Sequence, residues 1–302
     1  MHSLLLTHGA SSDTGLARHH NEDRFHADPS IGLFIVCDGM GGHRAGEVAS
    51  SRAIEIIPRH LADAAEDPSL PFVGLARPEF STVTNRLASA IRLSNHTVHQ
   101  EAARHAEYSG MGTTVVAAWL VGPVLSIAHV GDSRLYLRRD NLLHRLTTDH
   151  SLAEAQVQSG LLGADDAEHV SHRHVLTRAV GVHATVEVEM AELPVLDHDV
   201  LLLCSDGLTA GVSADTILRA ISESAGPQSA CDRLIALSNA AGGTDNTTVI
   251  VAKLSHNRPG LWHRLRAHFS RYAVNRLILR NDYVPEPLPL NHAPRESAAR
   301  RK

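Results

Sequence analysis

The pattern of hydrophobic and polar positions predicts a chain that mixes strands with helices. Apolar runs at 34–37 and 200–204 are rich in aliphatic residues and too short for helices, so we expect buried strands there. Stretches 45–57 and 82–104 instead repeat apolar residues at helical spacing. Because proline lacks a backbone N–H, we expect Pro58 to end the first of these helices.

The middle of the chain carries β-branched runs that alternate with glycine-containing turns. We predict an antiparallel meander there, because turns at 122–123 and 131–132 separate the runs. Residues 163–173 are polar, so we expect a surface segment there. Ser213 is the expected N-terminal cap of a later helix. The further predicted strands lie at 113–120, 124–130, 134–138 and 249–253, and the further helices at 152–162, 213–222 and 228–241.

Aspartates stand at the ends of the predicted strands, and they are the candidate chemistry. Asp38 and Asp206 each follow an apolar run and precede a glycine. Asp245 precedes the last strand, and Asp132 lies in a turn. One such aspartate alone is most simply a turn residue. Several together can bind hard divalent cations such as Mg²⁺ or Mn²⁺, and two such cations can clamp a phosphoryl group for in-line attack.

Other kinds of site lack their signals in this sequence. It contains no HExxH or paired Cys/His ligands for zinc, no GxSxG elbow, no Walker lysine loop and no GxGxxG. Cys37, Cys204 and Cys231 form no paired framework, which fits a reducing compartment. Cys37 and Cys204 lie in apolar runs, so we expect them to be buried. The apolar stretch 4–6 is too short for a signal peptide, and no run is long enough to span a bilayer. We therefore expect a cytoplasmic protein.

The net charge of −5 is unevenly distributed along the chain. Residues 256–302 carry ten Lys and Arg against three Asp and Glu, so the rest of the chain is acidic. An acidic body argues against nucleic-acid binding and suits carboxylates grouped around cations. In the tail, apolar residues from Leu261 to Ala273 recur at helical spacing among arginines, and a flexible proline-rich end follows. This helix could pack on the main domain, contact an anionic membrane surface or dock on an acidic partner.

Six short motifs together resemble the metal-dependent serine/threonine phosphatases of the PPM family (protein phosphatase 2C type), in its compact bacterial form. They are Arg18-x-x-Asn21-Glu22-Asp23, Asp38-Gly39-Met40-Gly41-Gly42-His43, Gly110-Met111-Gly112-Thr113-Thr114, Gly131-Asp132-Ser133-Arg134, Ser205-Asp206-Gly207 and Gly243-Thr244-Asp245-Asn246. Each motif is weak alone, whereas the set in this order is specific. The resemblance implies an α+β fold of two packed antiparallel β-sheets flanked by helix pairs. It implies a catalytic domain at 1–255 and leaves 256–302 as a tail.

The resemblance also implies the metal ligands. Asp38 would bridge two Mn²⁺ or Mg²⁺ ions, and the Gly39 carbonyl would bind one of them. Asp206 and Asp245 would complete the coordination of the other ion. Asp132 and Asp206 would hold a third, weaker ion.

The remaining site residues follow from the same resemblance. Arg18 would grip the substrate phosphate, for which a guanidinium fork is suited. His43 would donate a proton to the leaving oxygen, or alternatively would only close its loop. Three residues would orient metal-bound water: Glu22, Asp23 and Asn246. The segment 149–181 resembles the family's flap but departs from it at 170–174, where relatives usually show His-Pro-x-Arg-Asn, so its substrate preference stays open.

The activity that the resemblance implies is hydrolysis of phosphoserine and phosphothreonine monoesters in proteins, by in-line attack of a hydroxide held between two cations. Such an enzyme would reverse a cognate bacterial Ser/Thr kinase and act as a monomer. Two rival interpretations remain. One is a binding module that holds phosphorylated partners without hydrolysing them, which the intact carboxylates argue against. The other is the branch of the superfamily that acts on anti-sigma antagonist proteins, against which the cluster at 18–23 argues.

Overall fold

Two five-stranded antiparallel sheets pack face to face in the computed structural model, which describes residues 4–41, 45–167 and 170–256. The first sheet contains, in spatial order, β1 (Leu4–Asp13), β12 (Thr247–His256), β11 (Val200–Cys204), β8 (Arg134–Arg139) and β9 (Leu142–Arg145). The second contains β10 (Glu189–Pro194), β7 (Val124–Val130), β6 (Val115–Val121), β3 (Leu33–Cys37) and β2 (Arg24–Asp28). Two short strands, β4 (Gly39–Met40) and β5 (Gly112–Thr113), pair with each other.

Helices cover the outer face of each sheet, which confirms the predicted four-layer α+β sandwich. The helices are α1 (Ala45–Glu66), α2 (Thr82–Arg104), α3 (Leu152–Gln158), α4 (Ala164–Ala167), α5 (Asp206–Thr209), α6 (Ala214–Glu223) and α7 (Pro227–Ala240). A 3₁₀ turn at Ala106–Tyr108 follows α2. One core joins α1 and α2 to the second sheet, another lies between the sheets, and a third joins α6 and α7 to the first sheet.

The three cores explain why the predicted strands are continuous apolar runs. In β11, Leu201 and Leu203 face the other sheet, whereas Leu202 and Cys204 face the helices. A strand that is covered on both faces gains from apolar side chains at every position. All three cysteines are free and buried, which confirms the expected burial of Cys37 and Cys204. Among the described residues, no helix is long and apolar enough to cross a membrane.

The prediction that Pro58 ends the first helix is wrong, because α1 runs through Pro58 to Glu66. The proline removes one hydrogen bond within the helix, at a cost of about 3 kcal/mol. Ile57 and Leu61 lie on either side of it, and both are buried in the core beneath the second sheet. Burying two such side chains offsets that cost, since each contributes about 1.5–3 kcal/mol.

Other elements differ from expectation mainly at the edges of the sheets. Residues 4–13 form the ten-residue strand β1, of which the sequence pattern indicates only the apolar stretch 4–6. β10 has no clear sequence signal, and α3 ends at Gln158, before the predicted end at 162. β12 reaches His256, one residue past the predicted domain boundary, and the rest of the predicted tail, 257–302, lies outside the described residues.

Candidate metal centre and active site

A cleft of about 620 Å³ opens at one edge of the sandwich, where ends of β3, β8, β11 and β12 meet. Antiparallel pairing places the end of β11 beside the starts of β8 and β12, since Cys204 pairs with both Arg134 and Val249. The aspartates that follow or precede these strands therefore converge. The lining residues include Arg18, Glu22, Asp38, Gly39, Asp132, Asp206, Asp245 and Asn246.

The backbone around Asp38 is held firmly at the end of β3. Its N–H donates to Thr114 Oγ1 at 2.9 Å, and its carbonyl accepts the Thr114 N–H at 2.8 Å. Gly39 then passes so close to α1 that an added Cβ would lie 2.1 Å from the Gly46 carbonyl oxygen. Only glycine fits at that position, which accounts for the Asp-Gly sequence.

Three carboxylates in or beside the cleft have raised pKa values, because their surroundings disfavour the negatively charged form. Burial, with Asp23 and Asp206 nearby, raises the pKa of Asp38 well above its usual range. Burial and then Asp206 raise the pKa of Asp132 to about 8. Burial raises the pKa of Asp23 to about 7, although Ser205 Oγ donates a hydrogen bond to it at 2.7 Å. Within the described residues, burial and mutual repulsion therefore disfavour the ionised form of these carboxylates.

Two carboxylate oxygens in this region are buried without a hydrogen-bond partner among the described residues, namely Asp206 Oδ1 and Asp23 Oδ1. The other Asp206 oxygen, Oδ2, lies 3.4 Å from His174 Nδ1. A buried carboxylate oxygen without a partner is costly unless a cation binds it. The donor set is made of oxygen atoms from several strand ends, and it therefore fits Mg²⁺ or Mn²⁺.

Asn246 ties the loop that carries Arg18 to the cleft. Its Nδ2 donates to the carbonyls of Thr14 at 2.8 Å and His20 at 2.9 Å, and its Oδ1 accepts the Glu22 N–H at 2.8 Å. Both amide hydrogens are thereby used, which leaves one lone pair of Oδ1 for water. Its predicted role toward metal-bound water stays a prediction, and anchoring of the loop is the role that its hydrogen bonds display.

The structure places nine of the predicted site residues in or beside this cleft. Eight line it, and Asp23 is buried next to it, only 2% exposed. His43 lies outside the described residues, so its proposed proton transfer stays a prediction. Sequence reasoning missed Thr114 as the partner of Asp38, and it missed Arg173 and His174, which line the cleft from the flap. The departure at 170–174 was the available signal for the last two.

Known proteins share this sandwich and its sequence. The family model described as protein phosphatase 2C matches residues 17–238. The serine/threonine phosphatase stp of Listeria welshimeri is 37% identical over 245 residues, which cover 80% of this chain and 93% of that protein. The serine/threonine protein phosphatase PstP of Mycobacterium tuberculosis is 36% identical over 250 residues, which cover 83% of this chain and 45% of that protein.

Solved structures agree with the sequence comparison. The crystal structure of the Mycobacterium tuberculosis phosphatase PstP/Ppp has a TM-score of 0.73 at 35% identity, covering 83% of this chain and 99% of that one. The PstP catalytic domain in complex with two manganese ions has a TM-score of 0.71 at 34% identity, covering 84% and 100%. The sandwich and the carboxylate cleft define a metal-dependent phosphatase. The chain belongs to the protein phosphatase 2C family.

Proposed function

We propose that this chain hydrolyses phosphoserine and phosphothreonine monoesters in proteins with the help of Mn²⁺ or Mg²⁺. The single observation that carries the proposal is the convergence of Asp38, Asp206 and Asp245 in one cleft, with Arg18 at its rim. The names of the relatives and the two manganese ions of the PstP catalytic domain support the same chemistry.

The cleft residues divide into cation ligands and substrate-binding groups. Two cations would be held by Asp38, the Gly39 carbonyl, Asp206 and Asp245, and a third, weaker one by Asp132 with Asp206. When bound, the cations would neutralise the transferred phosphoryl group and activate water for in-line attack. Arg18 would bind the phosphate oxygens through its planar fork.

Glu22 and Asp23 would act through hydrogen bonds to water and not as cation ligands. Burial raises the pKa of Glu22, whose backbone N–H is fixed by Asn246. Asp23 is held by Ser205, which in turn accepts the Thr248 N–H at 2.9 Å. The Glu22 backbone and the Asp23 carboxylate are therefore held in place, and both carboxylates would accept hydrogen bonds from water.

The direct test is phosphate release from phosphoserine and phosphothreonine peptides, with a phosphotyrosine peptide for comparison. We expect turnover with Mn²⁺ or Mg²⁺, none after exhaustive chelation, and recovery when the cation is restored. Full activity in excess EDTA would contradict the proposal. Binding of phosphopeptides without release of phosphate, in saturating Mn²⁺, would instead identify a binding module.

The three free, buried cysteines support a reducing, cytoplasmic site of action. A cognate Ser/Thr kinase, a monomeric state and the lack of nucleic-acid binding stay predictions. We propose that the basic tail at 257–302 localises the enzyme on an acidic partner or an anionic membrane surface. Its removal after His256 should leave peptide turnover unchanged while reducing co-sedimentation with anionic vesicles or with a partner.

A further inference from the structure

Beside the cleft, the buried residues His129 and His150 form a cluster with the partly exposed Glu189, and the function above uses none of the three. One potential ligand atom from each residue lies within 4.8 Å of the others. The two imidazole rings are stacked, with centroids 4.6 Å apart and planes 13° from parallel. His129 and Glu189 come from the paired strands β7 and β10, whereas His150 precedes α3.

The stacking argues against a metal ion in this cluster. An imidazole lone pair lies in the plane of its ring, so two nearly parallel stacked rings direct their lone pairs side by side and not toward one point. The ring nitrogens also have hydrogen-bond partners already. His129 Nε2 lies 2.9 Å from the Thr148 carbonyl oxygen, to which it donates.

The hydrogen bonds of His150 define its tautomer. The Gly131 N–H donates to His150 Nδ1 at 3.0 Å, so that nitrogen carries no proton. The proton must then be on Nε2, which donates to Glu189 Oε2 at 3.1 Å. Glu189 therefore holds the imidazole in the form that can accept from Gly131.

The turn that His150 contacts carries Asp132. Gly131 has φ +104°, and a Cβ there would lie 2.6 Å from Thr114 Cγ2, so only glycine fits. Glycine gives a turn the greatest conformational freedom, and such a turn needs outside contacts to hold one geometry. His150 supplies two of them, because its own backbone N–H also donates to the Gly131 carbonyl at 3.0 Å.

We propose that His150 is a positioning residue, which holds the Gly131–Asp132 turn so that the Asp132 carboxylate is preorganised for the cation that it shares with Asp206. This inference rests on the cation site proposed above at Asp132. Residues that orient the ligands of a metal typically change its affinity by about 10–100-fold when they are replaced. The imidazole of His150 would act on this cation only through the hydrogen bond that it accepts from the Gly131 N–H, and it would touch neither substrate nor metal.

The side chains of asparagine and glutamine separate the two ends of the imidazole. His150→Asn keeps an acceptor near the position of Nδ1, facing Gly131. His150→Gln moves the amide toward the position of Nε2, facing Glu189, and loses the acceptor for Gly131. His60 offers a matched control, because it is also a buried histidine (7% exposed), with its Nε2 3.3 Å from Ser89 Oγ in the helical layer.

The experiment is Mn²⁺ titration calorimetry of the full chain, with melting temperature as a check on folding. Asp132→Asn identifies the weak ion by removing it. We expect His150→Ala and His150→Gln to weaken that ion by about 10–100-fold. His150→Asn should recover most of the affinity, and His60→Asn should leave Mn²⁺ binding unchanged.

The outcomes separate the inference from the function on which it rests. If Asp132→Asn binds as many ions as the wild type, the proposed cation site fails, and the inference fails with it. If Asp132→Asn loses the ion but folded His150→Gln binds it as tightly as the wild type, only the positioning role is overturned. Equal losses of Mn²⁺ affinity at this site in His150→Asn and His150→Gln would also overturn the positioning role. If His150→Ala does not fold, the Asn and Gln pair decides.

Discussion

Arg18 reaches across the cleft to Asp245, where its Nη2 donates to Oδ2 at 2.9 Å. The Asp245 carboxylate raises the pKa of Arg18 above its usual value. The group proposed to bind phosphate is thus paired with a carboxylate proposed to bind a cation. A cation held by Asp245 would compete for that carboxylate and would leave the guanidinium available to phosphate. Binding of cation and phosphate should therefore reinforce each other.

Replacing Arg18 should affect substrate binding more than turnover. We expect Arg18→Ala to raise KM at least about tenfold with little change in kcat, if the guanidinium binds ground state and transition state alike. Arg18→Lys keeps the charge but loses the planar fork, so its KM should lie between those of the wild type and Arg18→Ala. The measurement is steady-state kinetics on a phosphothreonine peptide. A fall in kcat alone would assign Arg18 to transition-state stabilisation.

The same substitution should hardly change stability. The side chains of Arg18 and Asp245 are 55% and 35% exposed, and ion pairs in water contribute only about 0–1 kcal/mol. Urea unfolding of the metal-free Arg18→Ala variant should therefore match the wild type closely. A large loss of stability would show that Arg18 anchors the loop.

Asp38→Asn should abolish turnover, because a neutral amide cannot hold two cations as a carboxylate does. We expect kcat/KM to fall by at least about a thousandfold, equivalent to about 4 kcal/mol of transition-state stabilisation. The melting temperature of the metal-free variant should equal or exceed that of the wild type, since repulsion with Asp23 and Asp206 disappears. An active variant in saturating Mn²⁺ would contradict the assigned role.

Asn246→Ala should both destabilise the protein and raise KM, because the loop with Arg18 loses three hydrogen bonds. Unpaired buried groups cost about 1–3 kcal/mol. Asn85 is the matched control, since it is similarly buried and its Nδ2 donates to the Arg77 and Phe80 carbonyls away from the cleft. Asn85→Ala should lose stability without a change in KM. Equal effects of both variants on KM would contradict the anchoring role.

The metal-free protein should become less stable as pH rises from 6.5 to 8.5. In the folded state the pKa is about 7 for Asp23 and about 8 for Asp132, well above the ordinary carboxyl value. The folded state then binds more protons than the unfolded state in this range, so stability is lost as these groups ionise. His129, whose pKa burial lowers to about 4, has the opposite effect, but only below about pH 6.5.

Thermal unfolding in EDTA measures this dependence. A loss of each kcal/mol lowers the melting temperature of a domain of this size by about 2–4 °C. Asp132→Asn should flatten the decline. Saturating Mg²⁺ should stabilise more at pH 8.5 than at 6.5, since it binds the ionised carboxylates. A metal-free melting temperature that rises with pH would show that the carboxylate cluster is not repulsive.

The local pattern of the sequence was enough to predict the strands that are covered on both faces and the long amphipathic helices. β3, β7, β8 and β11 and the helix α2 lie where their patterns indicate. The ligand motifs could also be recognised, because Asp38-Gly39 and Asp206-Gly207 each place an aspartate and a glycine directly after, or one residue after, an apolar run. Such signals are contained in a few consecutive residues, so no tertiary contact is needed to see them.

Long-range contacts decided the remainder. Asn246 holds a carbonyl 232 residues away, and Arg18 meets a carboxylate 227 residues away. The edge strand β1 depends on its pairing with β12. The helix α1 continues through Pro58 because apolar side chains before and after the proline are buried in the core. His150 lies in the segment that resembles the family's flap, and only the fold brings Gly131 and Glu189 beside it. The sequence by itself determined which residues are able to bind a cation or a phosphate. Only the tertiary structure decided which backbone groups hold them in place, because those hydrogen bonds join segments that no local periodicity relates.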